Sequence, residues 1–264
     1  MKNATTITTI HATDSLLARI NILPTKLRPV IPRGLFESSL IFNMPRLNFE
    51  HELQQARQDL LSLGHMAAQA ILDAVVALKN CDMSGSRLIL EKDQNINRKR
   101  FEIEAKILAV IAMQQPAARD LRLLTAILDL CAELERIGDY AKGIATINLR
   151  SGGLNMPKLL KDAQYMSQKA VDMLDRSLDA FVNIDIASAK QIALEDKLID
   201  ALYQQIYFEV IDSIVEDPAN MECANYMLWV GHNLERVADR ATNVCERTLF
   251  VATGELKPIA EYSN

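Results

Sequence analysis

The sequence predicts an all-α fold in which one three-helix unit is used twice. Three observations carry this. Nine Gly and eight Pro among 264 residues are roughly half the usual share, so turns are scarce and long helices are the economical reading. Leu134-Glu135-Arg136-Ile137-Gly138-Asp139 recurs as Leu234-Glu235-Arg236-Val237-Ala238-Asp239 at an offset of 100, and Asp93-x-x-Ile96-Asn97 recurs as Asp196-x-x-Ile199-Asp200 at an offset of 103. Asp82 matches Asp185 and Pro116 matches Pro218 in the same order, so a whole unit repeats rather than a motif.

Residues 1–43 stand apart. They carry Lys2, Arg19, Lys26, Arg28 and Arg33 against Asp14 and Glu37, and hold Pro24, Pro29 and Pro32. No helical period runs through them, so they are expected to be a disordered extension, or the product of a start placed too early, since Met44 opens a well-patterned segment, with a targeting leader as the alternative. The repeats are expected at 44–152 and 153–256, and a short tail at 257–264.

Each helix has a local reason. Over Phe49 to Asn80, Leu53, Ala56, Leu60, Leu63, Ala67, Ala70 and Ala74 keep a 3–4 spacing. The second helix is expected from about Ser84 to Gln114, with Asp82 or Ser84 as N-cap. The third starts at Pro116, a good first-turn residue, and runs to about Arg150. Ser151-Gly152-Gly153 ends it and marks the unit boundary. The second unit reads as Pro157 to Asn183, about Ile186 to Glu216, and Pro218 to Ala252, closed by Gly254. Helices of this length suit an elongated bundle.

Composition excludes several functions. A net charge of −5 disfavours a polyanion such as nucleic acid as partner. One Trp and 5 % aromatics give no stacking platform for single strands. The four cysteines, Cys81, Cys131, Cys223 and Cys245, form no CxxC, so they read as buried reduced thiols in a reducing cytosol. The longest charge-free stretch of the helical part, Leu60 to Leu72, is too short to span a bilayer, and no direct membrane insertion is expected. No GxSxG, P-loop, dinucleotide fingerprint or HExxH occurs.

The acids carry the functional signal. Glu135 and Asp139 share a helix face, as do Asp93 and Asn97. An antiparallel hairpin brings together residues equidistant from its turn. The pairs 93/139 and 97/135 both centre on Pro116, and 196/239 and 200/235 centre beside Pro218. Asp93, Asn97, Glu135 and Asp139 are thus expected at one level of the first hairpin. Asp196, Asp200, Glu235 and Asp239 are expected at one level of the second. Facing carboxylates repel, and the usual offset is a bound cation or a neighbouring Arg. Arg136 and Arg236 stand beside the motifs. Oxygen-only ligands suit Mg, Ca, Mn or Fe better than zinc or copper. A solvated acidic face is the plain alternative. His232 lies one turn before Glu235, but its repeat mate is Ala132, so it reads as a packing or surface histidine.

At these residues the chain resembles the PhoU family of bacterial phosphate-uptake regulators. The resemblance covers about residues 44 to 255. It rests on Arg46-Leu47-Asn48-Phe49, on Gln115-Pro116-Ala117-Ala118-Arg119-Asp120-Leu121-Arg122 and on the two Leu-Glu-Arg-x-x-Asp segments. It implies two three-helix bundles related by pseudo-twofold symmetry, with metal bound by paired acidic motifs. Carried over, these are Asp93 and Glu135 with Asp139, and Asp196 with Asp200 and Glu235 with Asp239. The chain departs at Asn97, where an acid is expected, and at Gly143, where the second unit has Asn243, so the first site is expected to be the weaker. The resemblance also implies a cytoplasmic negative regulator of phosphate uptake and of the phosphate-starvation response. Its partners would be the phosphate ABC transporter's ATPase subunit and a sensor histidine kinase. A homodimeric adaptor without turnover is the expectation. The rival is a carboxylate-bridged metal enzyme such as a phosphate-ester hydrolase, although the redox version needs Glu-x-x-His pairs that the chain lacks.

Overall fold

The computed structural model describes residues 34–263. The chain divides into two compact units, Met1–Asn48 and Phe49–Asn264, and the second carries the architecture that follows. Most of the 1–43 extension lies outside the described residues. Its last ten positions do not. Helix α1 is Gly34–Lys79 and begins well before the expected Phe49. No Gly or Pro lies from Leu35 to Met44, and the helix runs on through Pro45, whose missing N–H costs one backbone hydrogen bond.

Within α1, Leu60, Leu63, Ala67, Ile71, Ala74 and Leu78 are fully buried or nearly so, which realises the 3–4 stripe. By length and composition the stretch Asn48–Lys79 is apolar enough to cross a membrane, with half of its most apolar window buried inside the protein. This exceeds the Leu60–Leu72 limit read from the charge-free run, because scattered polar residues do not cancel the mean hydropathy. Its apolar face is a core face.

Helix α2 is Met83–Gln114. Its N-cap Asp82 accepts through Oδ1 from the backbone N–H of Ser84 at 3.0 Å and of Gly85 at 2.9 Å. Gln115 then takes a left-handed φ of 47°. Helix α3, Ala118–Ser151, starts two residues after Pro116 and ends at Gly152 with φ 68°, where only the Cβ-free residue is unstrained. Pro116 was expected to open the helix, but residues 115–117 are non-helical and complete the turn instead.

The second half repeats the plan. Helix α4 is Pro157–Asn183. Asp185 caps α5, Ile186–Ala193, as Asp82 caps α2. The expected single helix to Glu216 is broken: α6 is Asp196–Glu216. At the break Leu194 and Glu195 donate to Gln191 and Ile192 in tightened i→i−3 bonds. Arg176 of α4 grips both carboxylate oxygens of Glu195. No Gly or Pro marks this site, so residue type alone gives no sign of the break. Pro218 opens a 3₁₀ turn, Pro218–Asn220, one turn ahead of α7, Met221–Thr253. Gly254, φ 83°, closes α7, and a 3₁₀ turn at Ile259–Ser263 follows.

One contiguous core draws on both halves, from Leu63 and Ile71 through Leu134 to Phe181 and Leu234. Helices α3 and α7 pack on each other and join the halves. Across that seam Glu133 of α3 accepts from Asn243 of α7 at 2.7 Å. A Cβ on Gly143 of α3 would lie 3.4 Å from Asn233 of α7. Residues 133 and 233, and 143 and 243, are repeat mates, so the seam carries a pseudo-twofold axis. The architecture is all-α, two tandem three-helix bundles about that axis. Gly143 and Asn243 thus belong to the seam.

The cysteines are all free, but Cys81 is exposed and Cys223 half-buried, while Cys131 and Cys245 are buried. The expectation of buried thiols fails at Cys81, which sits in the α1–α2 turn at φ 53°, a surface position.

Candidate functional site

The two acid motifs differ in what compensates them. In the first, Asp93 is 5 % exposed on α2. Its Oδ2 accepts from Lys142 Nζ of α3 at 2.9 Å and from Asn97 Nδ2 at 3.3 Å. A Cβ on Gly138 would come within 3.7 Å of Asp93 Oδ1, so Asp93 lies at the level of the Leu-Glu-Arg-x-x-Asp segment, as the hairpin arithmetic requires. Glu135 pairs with Arg100 Nη1 at 3.2 Å. Asp139 is exposed. The hydrogen bond to Asp93 raises the Lys142 ammonium above its ordinary pKa, and Asp139 and Glu135 add to this. Asp93 Oδ1 is buried without a hydrogen-bond partner. It borders a groove of about 770 Å³ between α1 and α2 that Leu61, Met66, Ala70 and Ile96 also line.

In the second motif the acids face one another with less relief. Burial, then Asp200, Asp239 and Glu235, push the Asp196 carboxyl up to about 6. Burial and then Asp239 raise Glu235, against a smaller pull from His232 and Arg236. Glu235 Oε2 is buried and makes no hydrogen bond, although His232 Nδ1 is 3.5 Å and Arg236 Nε 3.9 Å away. Arg236 spends its Nη1 on Asp239 at 3.0 Å. All four expected residues are therefore electrostatic neighbours. His232 is wedged between Tyr203 and Trp229, with ring centroids at 6.3 and 6.4 Å, which is a packing role. Arg136 does not attend the first motif. It pairs with Glu133 at 2.6 Å.

Among the described residues no group of three or more His, Cys, Asp or Glu side chains is placed to hold a metal ion. The donor chemistry still separates the motifs. The second offers four carboxylates, one with an unpartnered buried oxygen, the all-oxygen donor chemistry that hard cations take. The first already has an ammonium and a guanidinium on its acids.

Sequence reasoning missed Lys142 and Arg100. Each is one helical turn beyond a motif residue, Lys142 after Asp139 and Arg100 after Asn97, so extending the repeat comparison by one turn reveals them. It also missed the tie of Glu133 to Arg240 and Asn243, both at 2.7 Å. Hairpin arithmetic pairs residues within a unit and is blind to pairs between units.

The comparisons with known proteins agree with this architecture. The PhoU domain model matches residues 60–147 and 164–248. The chain is 36 % identical over 213 residues to a phosphate-specific transport system accessory protein PhoU homolog of Clostridium acetobutylicum, covering 80 % of this chain and 97 % of that one. It is 32 % identical to the phosphate-specific transport system accessory protein PhoU of Escherichia coli, covering 78 % and 86 %. The crystal structure of the phosphate transport system regulatory protein PhoU from Streptococcus pneumoniae superposes with a TM-score of 0.72 at 31 % identity, covering 79 % of this chain and 99 % of that one. PhoU from Pseudomonas aeruginosa gives 0.73 at 30 %, covering 78 % and 100 %. These relatives carry the names of accessory and regulatory proteins rather than of enzymes. With both repeats matched in order and the helical frame shared, the chain belongs to the PhoU family of phosphate-transport accessory proteins.

Proposed function

We propose that this protein is a cytoplasmic negative regulator of phosphate uptake and of the phosphate-starvation response. It acts as a homodimeric helical adaptor, without turnover, between the ATPase subunit of the phosphate ABC transporter and a sensor histidine kinase. Support comes from the family and from the names of its relatives, which place them in phosphate-specific transport. The adaptor would damp its partners by binding their inhibited states more tightly, since a ligand shifts an equilibrium only by its differential affinity.

The observation that carries the reading is the second acid motif. Asp196, Asp200, Glu235 and Asp239 repel one another on one face of α6 and α7, with Arg236 and Arg240 as the cations beside Asp239. A hard divalent or trivalent ion of Mg, Ca, Mn or Fe type would relieve that repulsion and set the charge the face presents. The test is a pull-down from phosphate-replete cells, with wild type beside Glu235→Ala/Asp239→Ala. Recovery of the transporter's ATPase subunit with wild type, reduced several-fold with the variant, is the expected result. A deletion strain whose phosphate-responsive gene expression stays normal would overturn the regulatory reading.

A further inference from the structure

The two acid motifs are repeat mates, yet three exchanges leave the first with less net negative charge, while Tyr140 against Arg240 runs the other way. Asn97 stands where the second unit has Asp200, Arg100 where it has Tyr203, and Lys142 where it has Thr242. With the acids that the repeats share counted, the first set holds three carboxylates against two cations, a formal charge of −1. The second holds four carboxylates and no cation at those positions, a formal charge of −4, with Arg236 and Arg240 beside Asp239 at 3.0 and 3.9 Å.

The side chains use these exchanges. Lys142 Nζ donates to Asp93 Oδ2 at 2.9 Å, and Asn97 Nδ2 reaches the same oxygen. Arg100 Nη1 stands 3.2 Å from Glu135 Oε2. Burying Asp93 without a counter-ion would be costly. A lysine ammonium is a compact point charge with three donors, and here it sits on a carboxylate that a cation would otherwise bind. In the second motif the mates cannot do this. Thr242 is neutral and short, its hydroxyl buried without a partner. Tyr203 packs its ring towards His232.

We infer that the first motif carries its own counter-ions, Lys142 and Arg100, and takes up no metal ion, so that each chain has one cation centre, at the second motif. This rests on the proposed reading of the second motif as a cation site. It departs from a symmetric picture in which both repeats bind alike. A pseudo-symmetric molecule would then respond to cation supply on one half only, the other half holding its counter-ions within the chain.

The experiment is Mn²⁺ uptake by the intact chain, followed by equilibrium dialysis with metal analysis and by the shift in thermal midpoint on adding Mn²⁺. In Asp93→Asn/Asp139→Asn, uptake equal to wild type is expected, and a fall in uptake overturns the inference. In Lys142→Met/Asn97→Asp, which strips the ammonium and restores the acid, a gain of roughly one ion per chain is expected, with a midpoint that rises on adding Mn²⁺. No gain overturns the inference. If this variant folds only when Mn²⁺ is present, that also supports it, since the ion then replaces Lys142. Asp139→Ala, at an exposed position, repeats the first arm without touching the core, and unchanged uptake is again expected. A wild-type chain that binds no Mn²⁺ would sink the reading of the second motif alone. The Lys142→Met/Asn97→Asp arm would still decide whether the ammonium is what keeps an ion out of the first.

Discussion

Arg240 on α7 donates through Nη1 to Glu133 Oε2 on α3 at 2.7 Å, and both side chains are 16 % exposed. The pair ties the two halves together across the pseudo-twofold seam, and Asn243 adds a second donor to the same oxygen. Breaking one side of a mostly buried pair strands the other charge. Glu133→Ala is expected to cost about 2–4 kcal/mol, and Glu133→Gln less. Denaturant unfolding of the two variants checks this. Equal losses would mean that the charge is not what matters at the seam.

Two glycines in helix interiors separate packing from propensity. A Cβ on Gly64 would lie 2.3 Å from Cδ1 of fully buried Leu178, where α1 and α4 touch. Gly64→Ala should lose about 1–2 kcal/mol, because overpacking outweighs the gain in helix propensity. Gly143→Ala meets only Asn233 at 3.4 Å and should be neutral or gain up to about 1 kcal/mol. Thermal midpoints of the two variants should move apart, and a midpoint for Gly64→Ala at or above that of wild type would contradict the close approach.

Asp59 makes the acid limb of stability specific. Burial acts to raise its carboxyl, but hydrogen bonds from Lys99 at 2.6 Å and Lys106 at 3.1 Å prevail and hold it below its ordinary value. A folded-state pKa below the unfolded one gives stability that is present above the unfolded pKa, near 4, and is lost as pH falls through the folded one. The difference in unfolding free energy between wild type and Asp59→Asn should be constant from neutral pH down to about 4 and shrink below that. A difference that grows on acidification would reverse the sign and refute the pairing.

The thiols should react in order of exposure. Burial pushes Cys131 and Cys245 up to about 12, and a thiol that is not ionised is a poor nucleophile. Cys81, in an exposed turn, should react first with a thiol reagent in the native protein. Cys131 and Cys245 should react only on unfolding. Mass spectrometry of partly labelled protein reads this directly, and early labelling at Cys131 would contradict its burial.

Much of the fold was legible because its punctuation is chemical. Asp82 and Asp185 cap helices with side-chain oxygens, and Gly152 and Gly254 end them in left-handed turns, so these boundaries can be read from residue type alone. What escaped was set by partners distant in sequence. The α5–α6 break falls at Glu195, which Arg176 of α4 meets from another helix and which no Gly or Pro marks. The prolines sit in the turns ahead of α3 and α7 because Gln115 and Asp217 already leave the helix. For the site, level was readable and compensation was not. Equal spacing about Pro116 and Pro218 places the acids, but only side-chain geometry shows that Lys142 and Arg100 answer the first set while the second is left with Arg236 and, at 3.9 Å from Asp239, Arg240.

The central claim is that the acids of α6 and α7 hold a cation. Metal content of the protein purified without chelator, measured by inductively coupled plasma mass spectrometry, tests it most directly. The account predicts bound metal in wild type and at least a several-fold loss in Glu235→Ala/Asp239→Ala. Metal-free wild type that also fails to take up added Mn²⁺, or a double variant that keeps its metal, would contradict it.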